Sequence, residues 1–189
     1  MKILFMGTAA AEGVPALFCQ CGQCLYAREH GGKEIRGRCG AMIDGRLKID
    51  FGPDSYAHML KYHLDYLSMR ALLITHGHED HIGAIPYVLK QINTPIYATR
   101  LTLGLIKTKL EEHKLVRGTA LKCVKAGDII ELGKNFKIEF IQSTHSIADS
   151  IMVAIHTPVG TVVHTGDFKV DFTPIDGRVM DFARLAELG

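Results

Sequence analysis

The chain has 189 residues, of which 47% are hydrophobic and 22% are charged, and its formal net charge is +2. This length allows one domain with a sizeable core, and the small net charge does not by itself indicate nucleic-acid binding. The first apolar run, residues 2–6, is too short for a signal peptide or a membrane span, so we expect a cytoplasmic protein without a membrane anchor.

The first predicted element is a strand over Lys2–Met6, which is rich in Ile, Leu and Phe. A loop of small residues, Gly7–Pro15, follows it. Small side chains there indicate either a tight turn or a close approach of the backbone to a site, and the sequence leaves both interpretations open.

Three cysteines come next in the spacing Cys19-x-Cys21-x-x-Cys24. The chain has five cysteines, an odd number, which favours metal ligands or free thiols over a disulfide framework. Three thiols at this spacing suit one structural zinc ion, and a closed site needs a fourth ligand, for which His30 and Cys39 are candidates. The alternative is three reduced cysteines at the surface.

Basic residues crowd the segment after the cysteines, at Arg28, Lys33, Arg36 and Arg38. A solvated basic loop is the leading interpretation. A loop that grips phosphate is the alternative, because guanidinium groups match phosphate oxygens.

Residues 41–50 predict a β-hairpin, since Asp44-Gly45 is a strong two-residue turn between alternating strands. The hairpin ends at Asp50. A helix is predicted from Ser55 to Leu67, with its apolar residues on one face.

The central stretch is residues 75–81, Thr-His-Gly-His-Glu-Asp-His, directly after the apolar run 71–74. The run predicts a buried strand, and a loop leaving a rigid strand can aim several side chains at one point. His76 and His78 project to the same side, whereas Asp80 and His81 reach a second point nearby. Imidazole and carboxylate suit zinc, or manganese and iron with more oxygen ligands, and a pair of such ions is a known clamp for phosphoester hydrolysis. The alternative is a polar, solvated loop.

Ligand candidates recur where later strands end. His145 follows a predicted strand, where a third ligand for the first ion is needed, and Asp167 follows another, where one carboxylate can contact both ions. We interpret His156 and His164 as core or surface imidazoles and Cys123 as a small buried apolar residue. The sequence predicts helices over 83–91, 102–113 and 181–188, strands over 94–98, 121–124, 129–132, 136–141, 151–156 and 161–164, and turns at 126–127 and 133–135.

The order His-x-His-x-Asp-His at residues 76–81 resembles the signature of the metallo-β-lactamase superfamily. The resemblance implies an α/β fold, the four-layer αββα sandwich. It also implies that Asp80 orients the attacking hydroxide. Asp50, in an Ile-Asp-x-Gly pattern, would support residues 75–81, the metal loop, without binding metal. His78 in the second position favours hydrolysis over the redox chemistry of the flavo-diiron branch. The implied ligands are His76, His78 and His145 for the first ion, Asp80 and His81 for the second, and Asp167 between them.

Two branches of the superfamily are resembled. From about residue 70 to 189 the chain is similar to ribonuclease J, in residues 74–90, 101–115, 156–170 and 181–189. Residues 1–70 instead look like phosphoribosyl cyclic phosphate diesterases, in which a similar cysteine trio holds a structural zinc. The first resemblance implies a nuclease that hydrolyses the phosphodiester bonds of RNA with two divalent metal ions. Zinc is the leading candidate for these ions, and manganese is the alternative. The alternatives are a phosphodiesterase for a small cyclic phosphate, and a metal-binding domain with little or no turnover.

Ribonuclease J has parts that this sequence does not match. They are a last metal-binding histidine later in the chain and an inserted β-CASP domain that clamps RNA. We therefore expect residues 1–189 to form one metallo-β-lactamase-like domain that lacks β-CASP and the C-terminal closing elements of the sandwich. The sequence is compatible with a homo-oligomer.

Overall fold

The computed structural model describes residues 1–134 and 136–189, which contain ten strands and six helices. Two short 3-10 turns, Gly32–Glu34 and Tyr66–Ser68, lie between these elements. The strands are β1 Ile3–Gly7, β2 Gly40–Ile43, β3 Leu47–Ile49, β4 Ala71–Leu73, β5 Ile96–Ala98, β6 Leu121–Cys123, β7 Ile129–Leu132, β8 Phe136–Gln142, β9 Ile151–Thr157 and β10 Gly160–His164. The helices are α1 Gly22–His30, α2 Ser55–Tyr62, α3 Glu79–Ile82, α4 Ile85–Leu89, α5 Arg100–Glu112 and α6 Phe182–Leu188.

The first sheet has six strands in the order β1-β2-β3-β4-β5-β6. The first three strands pair antiparallel, and β3 to β6 pair parallel. Because the carboxyl ends of parallel strands meet at one edge of a sheet, the chain segments that leave β3 and β4 emerge side by side. This edge carries the metal-ligand stretch.

The second sheet has the order β10-β9-β8-β7, and all its described pairs are antiparallel. Its four strands lie where the sequence predicts them. The turn predicted at residues 133–135 includes Asn135, which lies outside the described residues.

Successive side chains of β4 point to opposite faces of the first sheet and so divide the core into two clusters. Leu72 faces the helices and packs in a cluster with Ile85 and Ile106, whereas Leu73 packs against Phe140 of the second sheet. A third cluster lies on the outer face of the second sheet and includes residues of α6. The layers are therefore helices, sheet, sheet and helix, and the predicted αββα sandwich is confirmed.

Local details differ from the sequence-based expectations. The helix predicted to reach Leu67 ends at Tyr62, because His63 adopts the left-handed conformation that closes a helix. The helix predicted over 83–91 is shorter. Cys123 is exposed, so its predicted burial is wrong; it ends β6, the outermost strand of the first sheet. Among the described residues, the helices lack the length and hydrophobicity needed to span a bilayer.

Candidate metal centre

The predicted ligands come from three strand ends. His76 and His78 lie in the loop after β4, Asp80 and His81 lie in α3 immediately beyond it, His145 follows β8, and Asp167 follows β10. The two sheets therefore contribute to one point at the edge of the sandwich. The structure brings all six predicted ligands to that point.

His76, His78 and His145 form the first group. Their ring centroids are 4.8 Å apart for His76 and His78, 4.8 Å for His76 and His145, and 4.9 Å for His78 and His145. One nitrogen from each ring lies within 4.8 Å of the other two. Such spacing suits three ligands on one ion, since zinc–nitrogen bonds are about 2 Å long.

The second group shares His76 with the first and adds His81 and Asp167, again with ligand atoms within 4.8 Å of one another. The Nε2 atom of His81 lies 3.6 Å from Oδ2 of Asp167 and 3.4 Å from Oδ2 of Asp80. Two carboxylates and an imidazole thus face one position beside the first group. His76 is the residue that the two groups share, and Asp167 belongs to the second of them.

Three atoms of this cluster have no hydrogen-bond partner within the described structure although they are buried: His76 Nε2, His81 Nε2 and Asp80 Oδ2. Buried polar atoms are nearly always satisfied, because leaving one unpaired costs free energy. Two imidazole Nε2 atoms and a carboxylate oxygen that face one another without hydrogen bonds suit the ligand positions of a divalent cation. The residues present therefore fit metal ions.

Asp50 lies behind the cluster, fully buried. Its carboxylate accepts hydrogen bonds from the Thr75 backbone N–H (2.9 Å) and hydroxyl (2.9 Å), and it lies 2.7 Å from Nδ1 of His81. With Nδ1 bonded to Asp50, the Nε2 atom of His81 points at the carboxylates of the cluster. Thr75 likewise lies 3.0 Å from Nδ1 of His76 through its hydroxyl. Asp50 thus contacts the metal loop without reaching the cation position.

Lys48 is a residue that the sequence analysis did not single out. Its side chain is fully buried, and its ammonium group donates to the backbone carbonyls of Ile49 and Asp50. Burial lowers the pKa of Lys48 to about 8, against the opposing effect of the Asp50 carboxylate. The available signal was a lysine flanked by two buried apolar residues in a strand, but its contacts follow only from the fold.

The electrostatics of the cluster favour a bound cation, which would displace the proton that Asp50 and Asp167 otherwise stabilise on His81. Burial lowers the pKa of His76 to about 3, so its ring is neutral. Burial also disfavours the charged form of His81, but Asp50 and Asp167 outweigh it and raise the pKa to about 12. Burial raises the pKa of Asp80 and Asp167, yet His81 outweighs this effect and both pKa values end below the ordinary range. Both carboxylates are therefore ionised at neutral pH.

Two glycines allow the loops to close on the cluster. A Cβ atom on Gly52 would lie 1.6 Å from the backbone oxygen of Asp80, so only glycine permits this approach. Gly166 has φ +58°, and a Cβ there would lie 2.8 Å from Cβ of Thr75. The loops after β3 and β10 are thereby packed directly against the metal loop.

The cysteine trio also converges, at the start of α1. The thiols of Cys19, Cys21 and Cys24 lie within 4.8 Å of one another. Within the described residues, neither fourth-ligand candidate joins them. The His30 ring stacks on Tyr26 (centroids 3.8 Å apart). Cys39 Sγ lies 3.7 Å from His164 Nε2.

Two residues of the basic segment are occupied within the protein. Arg28 donates to the carbonyls of Cys19 and Ala16, and Arg38 pairs with Asp54. These two guanidinium groups brace loops instead of facing the cluster. The structure therefore does not favour a phosphate-gripping role for them.

Residues 51–183 match the metallo-beta-lactamase superfamily. The chain belongs to this superfamily. Membership agrees with the fold and with the histidine and aspartate groups, and it implies a site for divalent metal ions.

Curated relatives are ribonucleases J. The chain is 52% identical to ribonuclease J of Synechocystis sp. over 122 residues, which cover 64% of this chain and 19% of that protein. It is 47% identical to the Thermus thermophilus enzyme (78% of this chain, 28% of that protein) and 36% identical to the Mycoplasma pneumoniae enzyme (89% and 29%). The chain thus spans less than a third of their length. Coverage of 89% also means that the similarity extends to residues before 70.

Solved structures show the same fold at low identity. Zn²⁺-bound PqqB from Methylobacterium extorquens has a TM-score of 0.69 at 15% identity, covering 85% of this chain and 63% of that one. A diphosphatase of the PhnP family has a TM-score of 0.64 at 20% identity (84% and 62%), and the short form of human tRNase Z has 0.62 at 18% (94% and 72%). At these identities the likeness establishes the fold alone.

Proposed function

We propose that this chain is the metal-binding part of a hydrolase that cleaves the phosphodiester bonds of RNA with two divalent cations. The observation that carries the proposal is the convergence of four imidazoles and two carboxylates, three of whose buried atoms lack hydrogen-bond partners in the described structure. The similarity to ribonucleases J supports RNA as the substrate.

The proposed ligand assignment follows the two groups of side chains. When bound, the cations supply a water of lowered pKa and neutralise charge on the phosphate oxygens. Zinc is the first candidate, as in the PqqB structure, and manganese the second. The proposed assignment is His76, His78 and His145 for one cation, Asp80 and His81 for the other, and Asp167 between them.

The chain's own residues orient the reactants. Asp80 presents its unpaired Oδ2 to the cluster, so it accepts a hydrogen bond from the attacking water and orients it toward phosphorus. Asp50 holds His81 through Nδ1, which directs the Nε2 atom at the cation position, where a bound cation would replace the proton on Nε2. Asp80 is therefore the proposed catalytic residue, and Asp50 acts through His81.

One structural zinc at the cysteine trio, in addition to the two cations of the metal centre, is also proposed. Three thiols within ligand distance of one another support it. A water molecule or a donor from another chain would complete the tetrahedron. This site lies apart from the reaction and is not needed for hydrolysis.

The assignment is tested by combining metal analysis with hydrolysis. The purified chain is loaded with Mn²⁺ or Zn²⁺, bound metal is counted by elemental analysis, and hydrolysis of bis(p-nitrophenyl) phosphate and of a single-stranded RNA is measured. We expect two cations beyond the cysteine trio and weak but measurable turnover. The His76→Ala/His78→Ala double variant should lose both. A His30→Ala/His113→Ala double variant is the matched control, because both rings contact tyrosines outside the cluster, His30 stacked on Tyr26 and His113 edge-on to Tyr87. Undiminished turnover in the first double variant sinks the assignment.

Salt dependence separates RNA from a small cyclic phosphate as the substrate. RNA binding releases counterions, so its affinity falls steeply as salt rises, whereas turnover of a small diester changes little. One cation or none per chain outside the cysteine trio, with no turnover, would instead support a metal-binding domain without activity.

A further inference from the structure

His164 is buried next to the metal centre, at the end of β10, with 4% of its surface exposed. Its ring lies parallel to that of Phe5, with an interplanar angle of 10° and centroids 6.1 Å apart. The backbone N–H of Gly166 donates to Nδ1 of His164 at 3.2 Å, and Nε2 lies 3.7 Å from Sγ of Cys39. Each polar atom of this ring is therefore engaged.

The hydrogen bond from Gly166 assigns the tautomer. Nδ1 accepts, so the proton of the neutral ring is on Nε2 and points at the sulfur of Cys39, a weak acceptor. Burial lowers the pKa of His164, which keeps the ring neutral. Burial raises the pKa of Cys39 to about 12, so its partner is a thiol. Both side chains of the pair are therefore uncharged, and their hydrogen bonds fix the orientation of the His164 ring.

Gly166 is held on its other side by Thr75. Its φ of +58° and the 2.8 Å distance from an added Cβ to Thr75 show that the turn is pressed against the metal loop. The next residue is Asp167, whose Oδ2 lies 3.6 Å from Nε2 of His81. The position of the Asp167 carboxylate therefore depends on where the Gly166 amide is held.

We propose that His164 is a positioning residue, whose Nδ1 atom holds the Gly166 amide and thereby sets the Asp167 carboxylate against His81. The proposal rests on the proposed function in one respect, that Asp167 is a ligand of the cations. It adds a residue that is not one of the proposed ligands and that connects β1, through Phe5, and the residue before β2, Cys39, to the metal centre.

A purely structural role makes a different prediction. If His164 only filled space, phenylalanine would replace it, because a ring of similar shape keeps the packing on Phe5. If Nδ1 matters, asparagine should replace it better, because its side-chain oxygen is at nearly the same distance from the backbone as Nδ1. The side-chain amide of glutamine reaches the position of Nε2 instead, so it would contact Cys39 and not Gly166.

The experiment compares His164→Phe, His164→Asn and His164→Gln by titration with Mn²⁺. His164→Phe and His164→Gln should weaken Mn²⁺ binding by about 10- to 100-fold at the position that His81 and Asp167 face, and less at the position of His76, His78 and His145, as removal of a partner behind a ligand does. His164→Asn should stay within a few-fold of wild type. Wild-type affinity for both cations in His164→Phe would overturn the proposal, and so would equal weakening in the asparagine and glutamine variants. If the phenylalanine variant does not fold, the asparagine–glutamine comparison decides.

A second readout needs no metal. Hydrogen exchange of the Gly166 amide, followed by NMR in the metal-free chain, should be slow in wild type and His164→Asn and faster in the other two variants. Equal exchange in all four proteins contradicts the proposed hydrogen bond. A wild-type chain that binds fewer than two cations would end the proposed function instead, and the exchange data would still show whether His164 holds the turn.

Discussion

The two candidate metal clusters of this chain are built in opposite ways. His76, after β4, and His81, in α3, are fully buried, and their Nδ1 atoms lie within hydrogen-bond distance of Thr75 and Asp50, respectively. The cysteine trio lies at the start of a helix, where Cys21 is exposed and a single backbone N–H, that of Ala16, reaches Cys24. One cluster is set in the core, and the other rests on the surface.

The two clusters differ in their free-energy cost when no ion is bound. Buried imidazole and carboxylate atoms without partners are unfavourable, so the histidine cluster depends on rigid surroundings to keep its shape. The thiols of Cys19 and Cys21 are at least partly solvated and cost little, and the buried sulfur of Cys24 accepts from the N–H of Ala16. We therefore expect the histidine cluster to be sensitive to changes behind its ligands, and the cysteine trio to be sensitive only to changes of the thiols themselves.

The largest expected effect is that of Asp50→Asn. One oxygen of the carboxylate accepts from the Thr75 N–H, and the other lies against Nδ1 of His81. An asparagine amide would instead turn an N–H group toward one of these two donors. Affinity for Mn²⁺ should fall by about 10- to 100-fold, measured by calorimetric titration. Asp54→Asn is the matched control, since that carboxylate pairs with Arg38 away from the cluster. An Asp50→Asn variant with wild-type affinity would show that the cluster needs no support.

Gly52→Ala should have the next largest effect, because the added Cβ would lie 1.6 Å from the Asp80 carbonyl oxygen and the backbone must move. We expect a loss of about 1–3 kcal/mol in the free energy of unfolding, measured with denaturant, together with weaker cation binding. Gly104→Ala in α5 is the opposite case. Nothing lies within 4 Å of its added Cβ, and alanine favours helix by up to about 1 kcal/mol. Equal effects at the two glycines would contradict the close packing of the loops.

The sequence predicted the parts of the centre that depend on local pattern. An apolar run followed by polar residues indicates a strand end, and this rule located His76, His145 and Asp167. Parallel pairing of β3 and β4 then explains why Asp50 lies beside the metal loop. The ligand types, their order and the αββα layers all follow from such short-range signals and the superfamily resemblance.

Contacts between residues distant in the chain were not predictable. His164 was interpreted as an ordinary imidazole, because its partner Cys39 lies far away in the sequence. The ion pair between Glu139 and Arg184, which joins β8 to α6, has no local signature either. Cys123 was interpreted as buried because free cysteine is usually a small buried apolar residue, but the position of its strand at a sheet edge is a property of the whole fold.

A smaller effect should separate the thiols by reactivity. The backbone N–H of Cys24 and the neighbouring thiols lower the pKa of Cys21 to about 7, whereas burial raises the pKa of Cys39 to about 12. At pH 7 alkylation of Cys21 should be about threefold faster than that of an ordinary thiol, since its larger thiolate fraction outweighs its lower intrinsic nucleophilicity. The rate should rise with pH up to about 7 and then level off, while Cys39 stays unmodified. Mass spectrometry of iodoacetamide-treated protein measures both. Modification of Cys39 at the rate of Cys21 would remove the contrast.

The smallest expected effect is that of Cys19→Ser/Cys21→Ser on the reaction. These substitutions should abolish zinc binding at the trio, because a hydroxyl is a poor zinc ligand, and leave the other cations and their hydrolysis unchanged. In metal-free protein the free energy of unfolding should stay within about 0.5 kcal/mol of wild type, as for surface substitutions in general. Cys123→Ser, an exposed thiol outside the trio, controls for the chemistry of the exchange. If the double variant lost hydrolysis together with zinc, the cysteine trio would be coupled to the histidine cluster. The two clusters would then not be independent of each other.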